Sequence, residues 1–356
     1  MKKVQYVFLT LIILTACGRT HSGELNKPFN PVSMNFDSKE MTNNFYDKSP
    51  TYALPLNDIT VEGEVENPGK VDFSRLARRS VIVKEALLDS AGNNKFTGAY
   101  RYDGYSLFDI LDKFRIKKAN AAEYSSVIDL YVEIENKKGD KVIFSWGEIY
   151  YPINLHKILI ACSVSRIVPS KTKDLWELPA KGKLVSATDL ITERNISDPV
   201  RITVRSYRGS FSLNRGITPL YSPSIRLFAD NRPVGKIVPP LADFRTVTYN
   251  TVFYGRGKGI HSTSPFTGIL MKEILLRYYP VSKDNLKSSL LCLEGIDGYR
   301  CVVSYSELFN RNDQQEFLLV TTDDNENGGK FRIFPACDFF SDRAIKSLDE
   351  IRLDHR

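Results

Sequence analysis

Three short segments of this chain recur in the same order, and that recurrence limits the fold more than any other feature. Leu107, Ile110, Leu111 and Phe114 fall at i, i+3, i+4 and i+7, one face of a short helix, with Ser106 as its cap and Asp109 in the first turn. Met271, Ile274, Leu275 and Tyr278 repeat that face 164 residues later. A hairpin follows each helix. Leu130–Ile134 leads through Lys138-Gly139-Asp140 into Lys141–Ile149, and Leu290–Leu293 leads through Asp297-Gly298-Tyr299 into Arg300–Leu308. Ser145 and Ser304, Trp146 and Tyr305, and Glu148 and Glu307 coincide at an offset of 159. A third match closes each half at an offset of 149: Ala187, Asp189, Arg194, Ile196 and Ile202 meet Ala336, Asp338, Arg343, Ile345 and Ile351.

The offsets shrink in order, as they do when a second copy loses loop residues. Two tandem copies follow, residues 57–205 and 223–356, joined by a linker at 206–222. Short strands with one helix per copy predict an α+β fold rather than a doubly wound sheet. A composition of 42% hydrophobic and 26% charged residues excludes wholesale disorder, and five Cys in 356 residues exclude a disulfide scaffold.

The N-terminus reads as an address. Met1-Lys2-Lys3 is followed by the apolar run Val7–Leu14, too short to span a bilayer, and then by Leu14-Thr15-Ala16-Cys17. That tetrapeptide resembles the bacterial lipoprotein signal box, which implies removal of residues 1–16 and lipidation of Cys17. Residues 17–56, rich in Asn, Ser, Lys and Pro, read as a tether in which Phe36, Phe45 and Tyr46 have the means to pack on the body. Gly18 carries no acidic retention signal, which favours the outer membrane. Loss of Lys2 and Lys3 lowers the net charge from +7 to +5, and an envelope location argues against nucleic acid as partner.

Several fragments resemble the sulfite-oxidase-type molybdopterin-binding domain. They are Ile59–Pro68 with its Gly63, Val65 and Asn67-Pro68, Tyr102–Leu111, Asp297-Gly298-Tyr299, and Arg343 and Lys346 before Ile351. The resemblance implies two copies of that mixed α/β fold, a molybdopterin cofactor and oxidoreductase activity. The family's metal-ligating Cys is missing. Glu85 stands near its position in the first copy and Asn250 in the second, so loss of the metal site, and no cofactor, is the expectation.

Gly255–His261 is the most site-like segment, because alternating glycines let backbone N–H groups approach an anion while Arg256 and Lys258 add charge. Arg256, Lys258, His261, Arg343 and Lys346 are therefore expected to converge on an anion or cofactor. The first copy has Ser90–Lys95 and Ser197 at the corresponding places. The four His are scattered and give no zinc set, no nucleophile elbow occurs, and Asp323, Asp324 and Glu326 lie in a turn-rich loop. Cys292 and Cys301 face each other if Ile296 and Asp297 form a two-residue turn, which admits either a disulfide or two packed thiols. The leading functional expectation is an envelope-anchored binding module for a protein partner or an anionic small molecule. A molybdopterin-dependent oxidoreductase with an unconventional metal site stands second, and a structural surface lipoprotein third.

Overall fold

The computed structural model describes residues 49–169, 171–209, 211–322 and 329–356. Residues 1–48, with the expected leader and Cys17, lie outside the described residues, as do Asp323, Asp324 and Glu326.

The first half runs β1 (Thr51–Ala53), β2 (Thr60–Gly63), β3 (Gly69–Lys70), β4 (Arg78–Leu88), β5 (Asn94–Ser106), α1 (Leu107–Leu111), β6 (Leu130–Asn136), β7 (Lys141–Ser145), α2 (Trp146–Tyr150), β8 (Ile158–Arg166), β9 (Lys183–Ser186) and β10 (Pro199–Ser206). The second runs β11 (Ile225–Ala229), β12 (Arg232–Ile237), β13 (Thr246–Tyr249), β14 (Phe253–Gly255), β15 (Gly259–Ser262), β16 (Phe266–Leu270), α3 (Met271–Leu275), α4 (Lys283–Ser288), β17 (Ser289–Gly295), β18 (Arg300–Ser304), α5 (Tyr305–Phe309), β19 (Phe317–Thr321), β20 (Phe331–Pro335) and β21 (Leu348–His355).

Each half builds two sheets. The order β3-β2-β10-β6-β7 in the first recurs as β12-β11-β21-β17-β18 in the second, and β4-β5-β8-β9 recurs as β13-β16-β19-β20. The polarity recurs too: β10 is parallel to β2 and β21 to β11, while the remaining pairs in these orders are antiparallel. The hairpin β14–β15 stands apart from all four sheets. Gly104 and Gly268, matched in the sequence, share one task. A Cβ at either would fall 2.2 Å from the Ile160 carbonyl or 2.7 Å from that of Leu319, so only glycine lets the next strand close in.

The mixed α/β sulfite-oxidase-like expectation is corrected. Of the described residues 43% are strand and 12% helix, with the four sheets set in a propeller-like arrangement. The apolar face at 107–114 is real, yet its helix is a single turn of five residues, too short to form a layer of its own. The tether expectation also shortens. Thr51–Ala53 pairs antiparallel with β8 and Leu54 is buried, so the body begins there. The expected linker is partly seated as well, since Tyr207 and Phe211 pack in a cluster with Tyr131 and Ile143 of the first half and Leu290, Cys292 and Val302 of the second. That cluster explains why β6 and β17 are buried almost without alternation: one face meets its own half and the other meets the opposite half. No helix among the described residues is long and apolar enough to cross a membrane.

Candidate functional site

The residues that recur in the sequence meet at a seam between the halves. Ser145 caps α2, and its backbone N–H donates to Glu148 while its side chain accepts from the Glu148 N–H, a complete capping box. Ser304 caps α5 and accepts from the Glu307 N–H. Arg194 is fully buried and grips two carboxylates, Asp189 at 2.6 and 2.8 Å and Glu148 at 3.0 Å on each oxygen. Arg343, also fully buried, does the same in the second half, with Asp338 at 2.6 and 2.8 Å and Glu307 at 2.6 Å.

The two clusters touch. Arg194 donates to Ser304 Oγ at 3.0 Å, and Ser145 donates to Glu307 at 2.6 Å. Reciprocal backbone bonds flank them: Ile153 N–H to Cys337 O (2.9 Å) and Phe339 N–H to Tyr151 O (2.7 Å) on one side, Asn312 N–H to Thr188 O (2.9 Å) and Leu190 N–H to Asn310 O (2.7 Å) on the other. Each bond has its counterpart at the offsets 159 and 149. The halves thus meet through the same surface, as two protomers do across a two-fold axis. Gly147 belongs to this fit, since a Cβ there would lie 2.3 Å from Arg343 Nη1.

Electrostatically the seam is crowded. Burial, opposed by Arg194 and reinforced by Glu307, pushes the Glu148 carboxyl up to about 7. Burial likewise raises Asp338 against the pull of Arg343. Glu307, Cys337 and Asp338 lie close enough to suggest a metal trio. The Arg343 guanidinium already supplies the cation there, and burial pushes the Cys337 thiol up, away from the thiolate a metal requires.

The residues singled out in the sequence scatter. Arg343 is consumed in the seam and does not reach the glycine-rich segment. That segment is the β14–β15 turn: Arg256 pairs with Asp342 at 2.9 Å, His261 packs beside Gly255 and against Phe253, and Gly257 faces open space. Lys258 and Lys346 lie near enough, with Arg332, that burial and the two neighbouring cations lower the Lys346 ammonium. These three form a surface patch rather than a pocket with Arg343. Glu85 does not fit a metal. Lys183 holds both its oxygens at 2.7 and 2.8 Å, and Tyr102 and Asn195 donate to it as well. Asn250 is not its counterpart. Arg79 pairs with Gly104 as Val247 pairs with Gly268, which sets Asn250 at the place of Ile82. With neither residue suited and the fold different, no residue here is assigned to a pterin.

Cys292 and Cys301 do not face each other. Cys292 pairs with Val302 and Leu293 with Cys301, and both thiols are free and buried on opposite faces of the sheet. The turn is a three-residue loop, Ile296–Gly298, closed by Gly295 and Tyr299, with Gly298 at φ +79°. One extra residue slips the register and turns one Cys away. A reducing agent is therefore expected to leave the mass and the melting temperature unchanged, and a fall in melting temperature on reduction would contradict this register.

Among the described residues, two clefts of about 500 Å³ or more are roomy enough for a ligand. One of about 700 Å³ is floored by Trp146 and Tyr150, stacked at 4.3 Å, and rimmed by Glu66, Asp112, Lys113 and Arg115. It offers no exposed large apolar side chain. The other, about 500 Å³, lies at the seam beside Tyr249–Val252, Tyr254, Phe334 and Phe339, with Ile153 contributed by the first half. Here Val252 is 62%, Ile153 57% and Phe339 51% exposed, a clustering of apolar surface that marks interaction sites. Sequence reasoning missed these residues, because no local spacing brings Ile153 of the first half beside Val252 and Phe339 of the second. Searches of protein-family models and of curated proteins return no match to this chain.

Proposed function

We propose that the chain is a binding component of a bacterial cell envelope, held to a membrane through lipidated Cys17, and that it recognises a partner protein at the 500 Å³ cleft of its second half. The exposed apolar wall formed by Ile153, Val252 and Phe339 supports this reading. Each of these side chains is already nearly half buried, so a partner that covers the rest gains roughly 1 kcal/mol from each. The cleft's one charged lining residue, Asp338, is neutralised by Arg343, so its walls suit an uncharged surface better than the anionic small molecule suggested by Arg256 and Lys258. The buried acids and bases at the seam are engaged with one another, which also favours binding over chemistry.

The test is photo-crosslinking in the native envelope, with a photoreactive residue at 252 or 339 and, as control, at exposed Lys84. A discrete protein adduct from 252 and 339 but not from 84 is expected. Absence of any adduct, or equal labelling from all three positions, would remove the proposal.

A further inference from the structure

The two copies differ where β8 leads into β9. In the first copy that connection takes 16 residues, 167–182, against nine, 322–330, between β19 and β20 in the second. Connections longer than about 12–15 residues are uncommon in a compact body and mostly serve a function. Packing explains part of this one. Trp176 and Leu178 lie on the buried cluster of Tyr100, Tyr102 and Val164. The Trp176 ring donates to the Ile167 carbonyl at 3.1 Å, and Tyr100 donates to the Glu177 carbonyl at 2.6 Å. Leu175 has no part in that packing. At 72% exposed it stands further into solvent than any other large hydrophobic side chain among the described residues. Phe96, whose ring meets that of Trp176 edge-on at 5.2 Å, is 49% exposed as well.

This apolar prominence lies where the chain enters the body. Thr51 pairs with Ser165, Tyr100 pairs with Arg166, and the Ile167 N–H continues to the Ala99 carbonyl. The strand β1 therefore begins at the end of the sheet where β8 stops and residues 167–182 start. Arg166 lies over the ring of Tyr52 there, at 5.7 Å. We infer that this end of the first half rests on the phospholipid surface to which the chain is tethered, with Leu175 and Phe96 entering the headgroup layer and Lys171 and Lys95 meeting lipid phosphates. This rests on the reading of Cys17 as a lipid anchor.

The anchor alone leaves the body free to stand off. Cys17 precedes Thr51 by 34 residues, which at about 3.5 Å per residue allow as much as ~120 Å between them. A contact beside Thr51 holds the body against its own membrane instead. Apolar side chains buried at the headgroup boundary with lysines beside them are the chemistry of interfacial binding, and a second contact strengthens a lipid anchor. Lys171 and Lys95 are exposed and have no anionic partner among the described residues. The connection's own charges nearly balance, with Lys171, Lys173 and Lys181 against Asp174 and Glu177. Apolar burial by Leu175 and Phe96 therefore carries more of the binding than charge does.

Flotation of the mature chain, residues 17–356 with Cys17→Ser to bar acylation, tests this on vesicles of phosphatidylethanolamine and phosphatidylglycerol. The unacylated chain should float with the vesicles. Leu175→Asp should weaken that binding about tenfold and Lys171→Glu about fivefold, whereas Val252→Asp in the cleft of the second half should change it by less than about twofold. Leu175 and Lys171 are exposed, so both variants should keep the parent's melting temperature. A photoreactive residue at 175 in the native envelope should label phospholipid. The contact is overturned if the unacylated chain stays at the bottom of the gradient, if Leu175→Asp floats as well as the parent, or if position 175 yields a discrete protein adduct in place of lipid. Mass spectrometry of the native N-terminal peptide reads the anchor separately. An acylated Cys17 in a chain whose Cys17→Ser form does not float keeps the anchor and removes only this contact.

Discussion

Arg343→Ala is expected to destabilise the chain by about 3–5 kcal/mol, the effect of stripping one partner from a buried charge cluster. The guanidinium is fully buried, makes a two-bond fork on Asp338, reaches Glu307 at 2.6 Å and lies over Gly147 of the other half. Alanine leaves Asp338 and Glu307 without their cation while Ser145 still ties Glu307 across the seam. At about 2–4 °C per kcal/mol for a chain of this order, the melting temperature should fall by roughly 10 °C. Arg256→Ala is the contrasting variant. Its pair with Asp342 is half-exposed, so a change within about 0.5 kcal/mol is expected. Urea titrations of both variants measure the difference. A loss below about 1 kcal/mol for Arg343→Ala would mean that water reaches the cluster and that the seam is held by apolar contact alone.

That contrast also shows what could be read from the letters. Ser145 and Ser304, Glu148 and Glu307, Asp189 and Asp338, and Arg194 and Arg343 keep their spacing in both copies, and each of these residues sits at the seam. A self-complementary interface places the same demand on both partners, so its residues stay alike while loops diverge. Their task was not legible, because it depends on how one half docks against the other, which no local spacing encodes. Arg343 and Arg256 therefore looked alike as free cations, although one is fully buried and the other half-exposed. The helical face at 107–114 was a true local signal that spoke only for one turn. The cleft was the least legible feature. Ile153 and Phe339 come together only through the reciprocal bonds of Ile153 to Cys337 and Phe339 to Tyr151, between segments almost two hundred residues apart.

The same seam predicts a stability that falls as pH rises through neutrality. Four carboxylates, Glu148, Asp189, Glu307 and Asp338, are buried there against the guanidinium groups of Arg194 and Arg343, so full ionisation leaves an excess of negative charge. Burial, with Glu307 and Asp189 adding to it, raises Glu148 to about 7 despite Arg194, from an ordinary 4.5. Other groups facing Glu148 are Ser145 at the helix cap, and His156 and Lys157 along the small crevice that reaches it. Between pH 4.5 and 7 the folded chain then holds a proton that the unfolded chain has released, so this stabilisation is fully present below 4.5 and is lost as pH rises through 7. Its size is about 3 kcal/mol, shared among coupled groups. Glu294, raised by burial and by Glu350 to about 7, acts in the same direction, whereas the lowered Asp72, Asp89 and Asp230 act only below about pH 4. Glu148→Gln mimics the protonated acid. It should match the parent near pH 5 and melt several degrees above it at pH 8, with Glu294 leaving a residual slope in both. Melting curves across that range decide the matter. A variant that loses the same stability at both pH values would show that Glu148 is ionised throughout and that Arg194 alone carries its charge.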